Sequence, residues 1–98
     1  MSDYEKTSKV AKDYLEKNGK QYIPNFHLLS ENELNHIASI SSQILLNHWG
    51  MNKHESGSFV KSIVENNLDG AFGNADNINV NCIRFYVMLK HNASLNGL

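Results

Sequence analysis

The sequence predicts an all-α fold, a small single-domain bundle of about four to five helices, and three observations carry that expectation. Apolar residues recur at three- and four-residue spacing through most of the chain. Residues that start and stop helices fall between those stretches. A single proline, Pro24, interrupts the 98 residues. The domain is read as residues 1–98, with an N-terminal helix and apolar connector over 1–29 and a helical core over 30–98.

Residues 3–18 place Tyr4, Val10, Ala11, Tyr14 and Leu15 at near-helical spacing, with lysines and glutamates on the other faces, the signature of an amphipathic helix. Asn18-Gly19 tolerates the left-handed backbone of a helix end, so the helix is expected to stop there. Pro24 then pushes Ile23 toward an extended conformation. With Tyr22, Phe26, Leu28 and Leu29 around it, this connector is apolar enough to pack on the domain.

Ser30 followed by Glu33 matches a capping box, in which the serine hydroxyl accepts from an amide three residues on and the glutamate reaches back. A second helix therefore starts at Glu31. Leu34, Ile37, Ser41, Ile44, Leu45 and His48 form its stripe, and Trp49-Gly50 closes it. After a polar loop, Ser56 or Ser58 can cap a third helix carrying Phe59, Val60, Ile63, Val64 and Leu68. Asp69-Gly70 and Gly73-Asn74 are expected to interrupt it, leaving residues 71–75 as a short helical turn.

Residues 76–91 form the last predicted helix, apolar around nearly its whole circumference from Ile78 to Leu89. Residues 83–89 are a rival strand candidate because several are β-branched, but length and continuity favour a helix. A helix apolar all round is central or sits at an interface. In a chain this short, self-association enlarges the core. A homo-oligomer is therefore expected, with two copies of Arg84 near one shared surface.

Composition narrows the function classes. Hydrophobic residues at 41% and charged residues at 19% describe a globular chain. The formal charge of -1 provides no field that gathers nucleic acid or an anionic membrane. Cys82 is the single cysteine, which suits a reducing compartment. No stretch approaches the ~20 apolar residues of a membrane span.

His27, His36, His48, His54 and His91 invite a metal hypothesis, but no pair stands at i, i+4 and no HExxH motif is present, so no metal site is expected. Cys82 lies mid-helix and reads as a buried structural thiol. Glu55, Glu65, Asp69 and Asp76 read as helix-end residues. Gly57 and Ser58 precede a helix whose amides could receive an anion, and Gly70 with Gly73 offers a second place for close backbone approach. Neither matches a phosphate-binding fingerprint. Arg84 is the one guanidinium, flanked by Phe85 and Tyr86, and suits bidentate recognition of carboxylate or phosphate beside stacking rings. The bland reading is an arginine that snorkels to water or pairs with an acidic helix end. The candidate binding residues are thus Arg84, Phe85, Tyr86, Gly57 and Ser58, with no catalytic residue and no cofactor.

Residues 57–79 open on Gly57-Ser58-Phe59, break at Asn66-Asn67-Leu68, and continue through Ala71-Phe72, Ala75-Asp76 and Asn79. This stretch, about a quarter of the chain, resembles a pattern found in small, mostly uncharacterised proteins of bacteriophages and prophages. The resemblance brings no catalytic residues with it. It implies a small non-catalytic protein in the host cytoplasm that blocks a host component, anti-phage defence among them, or sequesters a nucleotide-like signalling molecule. The alternative is a nucleic-acid accessory protein or a small enzyme, which needs a basic stripe or a convergent polar site. Within the pattern, Phe59, Ile63, Leu68 and Phe72 are expected to anchor on the core, Asn66 and Asn67 to end one helix, and Asp76 to cap the next.

Overall fold

The first helix, α1, runs through the expected stop and spans Asp3–Tyr22 in the structure, a computed structural model that describes residues 3–51 and 57–93. Gly19 sits inside it for a packing reason. A Cβ at that position would lie 2.5 Å from the Phe26 ring, so the glycine seats an aromatic side chain of the connector. The chain turns two residues beyond α1 at Pro24-Asn25, where Asn25 takes the left-handed conformation (φ 55°) before a 3₁₀ turn over Phe26–Leu28. Ile23 is buried and Phe26 and Leu29 pack against the core, whereas Leu28 is exposed.

α2 spans Glu31–His48 and begins with the expected capping box. The Glu33 amide donates to Ser30 Oγ at 3.1 Å, and the Ser30 amide donates to the Glu33 carboxylate at 3.0 Å. The helix ends at Trp49, followed by Gly50 at φ 71°. Its buried face includes Ser41 and Ser42, whose hydroxyls donate to the carbonyls of Ile37 and Ala38 one turn back and so enter the core satisfied.

The third helix is split differently from the expectation. α3 spans Ser58–Val64 and starts from Gly57 without a side-chain cap, so Ser58 is its first residue and not its cap, while Ser56 lies outside the described residues. The break falls at Asn66, which is left-handed (φ 60°), rather than at Asp69-Gly70. α4 then spans Leu68–Asn74, with the Asn67 side chain accepting from the Gly70 amide at 3.0 Å. Gly70 lies within α4 because α3 is too close for a side chain. A Cβ there would meet Ser62 Oγ and Asn67 Nδ2 at 2.6 Å.

The last predicted helix is also two elements. Asp76 Oδ1 accepts from the amides of Ile78 and Asn79, at 3.0 and 2.6 Å. This opens a 3₁₀ turn over Asn79–Cys82, and α5 follows at Ile83–Asn92. No strand occurs among the described residues, so the rival reading of residues 83–89 is not realised.

All five helices share one core with α5 at its centre, against α1, α2 and α3. Phe85 stacks at a tilt on Tyr14 of α1 with ring centroids 5.6 Å apart, and Tyr86 meets Phe59 of α3 edge-on, also at 5.6 Å. The Tyr86 hydroxyl donates to Asn79 Oδ1 at 2.7 Å, so its one polar group is satisfied in the interior. Lys90 ties the same helix to the end of α3, donating to the Ile63 carbonyl at 2.9 Å and to Asn66 Oδ1. Within one chain Ile83, Phe85, Tyr86 and Leu89 of α5 are buried, whereas Arg84 and Val87 of the same helix stay exposed. No helix among the described residues is long and apolar enough to cross a membrane.

Candidate functional site

What the chain leaves uncovered lies between α4 and the outward face of α5 and the 3₁₀ turn before it. Leu68 and Phe72 stand four residues apart on α4 and are 62% and 52% exposed, against the expectation that they anchor it. The inward side of this seven-residue helix is taken by Gly70 and Ala71, small residues that let it lie close to α3. The large side chains are left outside. Val80 and Val87 are exposed as well, and with Met88 they line an open groove of about 640 Å³ whose far wall includes Tyr22 and Pro24. Leu68, Ile83 and Val87 also line an adjoining pocket of about 190 Å³, closed off by Ile63 and Ala71. Contiguous exposed apolar surface on a small domain marks an interaction site, because water solvates it poorly.

Arg84 is the one charged residue lining this groove among the described residues. Its guanidinium carbon sits 5.3 Å from the centroid of the Tyr22 ring, a cation–π contact that holds the side chain across the groove wall. No carboxylate pairs with it among the described residues. A guanidinium lying on a ring keeps its N–H edges free for a carboxylate.

The other sequence candidates do not join it. Phe85 and Tyr86 are buried, since successive helical residues point about 100° apart and an outward Arg84 sends both inward. They hold the core and touch no groove. Gly57 and Ser58 are exposed at the start of α3 and line neither the groove nor its pocket. Tyr22 was missed because its partner is 62 positions away and because α1 was expected to end before it. Leu68 and Phe72 were assigned to the wrong side, since their spacing identifies a shared face but not the direction in which it points.

Several titratable groups elsewhere are engaged in the fold. His36 Nε2 lies 2.9 Å from Asp76 Oδ2, joining α2 to the turn before α5. Partial burial raises the Asp76 pKa, but the Asn79 amide, His36 and the Ile78 amide outweigh it, and the carboxyl ends below its ordinary range. Burial, reinforced by the Asp76 charge, pushes the Cys82 thiol up to about 11. Burial likewise raises the Tyr86 phenol and lowers Lys90. Among the described residues no group of three or more His, Cys, Asp or Glu could hold a metal ion, and His54 lies outside them.

No family model, curated protein or solved structure matches the chain.

Proposed function

We propose that this is a small non-catalytic binding protein that blocks a partner protein through its α4–α5 face. The observation that carries the reading is the continuous exposed apolar strip of Leu68, Phe72, Val80 and Val87 with Arg84 beside it, which no carboxylate among the described residues pairs. Exposed apolar side chains gathered on one face of a domain favour an interaction surface. The non-catalytic reading is supported by the engagement of Asp76, Cys82, Tyr86 and Lys90 in fold contacts, which leaves them without a common cleft.

The phage-like pattern of residues 57–79 contains Leu68 and Phe72, so the stretch carrying the resemblance also supplies half of the strip. From that we propose a bacteriophage protein acting in the host cytoplasm, with a component of anti-phage defence as the class of target. Sequestering a nucleotide-like signal is less favoured, because phosphate groups are best held by several converging cations and Arg84 is the one charged residue in the groove among the described residues. The test is plating efficiency of a restricted phage on bacteria that carry defence systems and express this chain. Plating should be restored by the wild-type chain and not by folded Phe72→Glu. Restoration by both would remove the face from the function, and restoration by neither across a broad set of defence systems would remove the target class.

A further inference from the structure

The groove has a chemistry narrow enough to describe its occupant. We infer that it takes an amphipathic helix of the partner protein, with one large apolar side chain entering the pocket at Ile63, Ala71 and Val87 and an Asp or Glu reaching Arg84. This rests on the preceding reading that the α4–α5 face is a binding surface.

Three observations point to that occupant. The adjoining pocket, open and about 190 Å³, is walled by Ile63, Leu68, Ala71, Ile83 and Val87 with Asn66 and Asn67 at its side, and is large enough for one leucine-sized or phenyl-sized group, since an enclosed apolar cavity of about 150 Å³ holds benzene. Arg84 stands one turn before Val87 on α5, so an anchor in the pocket and a carboxylate on the guanidinium would come from neighbouring turns of one segment. The groove walls are helices with no strand edge among the described residues. An extended peptide would bring unpaired amides and carbonyls onto apolar walls, whereas a helix satisfies its own backbone.

Charge decides between this occupant and a second copy. Pairing two such faces about a twofold axis sets the Arg84 of each copy in the same apolar groove, which has no carboxylate among the described residues that line it. An acidic partner removes that cost and pairs the cation.

The experiment is selection of the purified chain against a displayed library of helical 20-residue peptides, followed by titration of the best peptide by fluorescence anisotropy. The expected peptides carry a large apolar residue with Asp or Glu three or four positions away. Their affinity should fall about tenfold or more for Arg84→Ala, as for a partly desolvated charge pair, and should recover when Arg84→Glu meets a peptide whose acidic residue is changed to Lys. Val87→Glu, at an exposed position, should abolish binding with the melting temperature unchanged. Selected peptides without an acidic residue, or affinity indifferent to Arg84, would overturn the inference. So would a dimer in sedimentation that Val87→Glu dissociates, or nucleoside triphosphates that bind and displace the peptide. If the occupant fails these tests while Phe72→Glu still loses plating rescue, the binding face stands and only the helix assignment falls.

Discussion

Phe59 and Phe72 carry the same side chain on adjacent short helices, and they should differ several-fold in what they contribute to stability. Phe59 is 8% exposed and edge-on to Tyr86, so Phe59→Ala removes a ring from a filled core. The expected loss is about 3–5 kcal/mol. Phe72 is 52% exposed, so about half of a buried phenylalanine's ~1.5–3 kcal/mol remains to be lost, or about 1 kcal/mol for Phe72→Ala. With a urea dependence of about 1.5 kcal/mol/M for a domain of this size, the midpoints fall by about 2–3 M and about 0.7 M respectively. Urea titration followed by far-ultraviolet circular dichroism separates these shifts. Equal losses would mean that Phe72 is a core anchor, and the exposed strip would lose its principal member.

Four further outcomes are expected. Ser30→Ala should cost about 0.5–2 kcal/mol through loss of the capping hydroxyl, while Ser8→Ala on α1 changes little, as measured by the same titration. Gly19→Ala should destabilise the chain despite the ~0.5–1 kcal/mol that alanine normally gains inside a helix, because its Cβ meets the Phe26 ring; in a Phe26→Ala background the same change should become stabilising. Asp76 has a folded pKa below its ordinary 3.8, so its contribution is present above that pH and is lost as pH falls through the folded value. Melting temperature in acid should therefore drop less steeply for Asp76→Asn. Iodoacetamide at pH 8 should leave native Cys82 unmodified, since the thiol is buried and titrates at about 11, and alkylation should appear only in denaturant; rapid native alkylation would contradict the buried placement.

The fold was legible where local chemistry decides it. The Ser30–Glu33 box and the Trp49-Gly50 stop are short-range signals and appear in the structure as read, and of the predicted α2 stripe Ile37, Ser41, Ile44 and Leu45 are buried while His48 is exposed. Glycine misled the reading wherever its reason was tertiary. Gly19 and Gly70 look like helix breakers in sequence, yet both lie within helices because Phe26 or Ser62 approaches too closely for a Cβ. Asn66 and Asp76 were read correctly as a helix end and a cap, since these side chains act on their own backbone neighbourhood. At the candidate site, Arg84 could be singled out because a lone guanidinium on an apolar helix is unusual. Its true neighbours could not be. Tyr22 reaches it through the extra turn of α1, and Leu68 and Phe72 face outward because α4 uses its small residues to pack.

The most direct measurement places a photo-crosslinking amino acid at position 72 and, separately, at Glu16 on the exposed face of α1, in chains expressed in the susceptible bacterium. Irradiation should give one discrete adduct with a host protein from position 72, none from position 16, and none from position 72 when Arg84→Ala is added. Adducts of equal yield from both positions, or an adduct from position 72 that persists without the Arg84 guanidinium, would contradict a binding face built on Phe72 and Arg84.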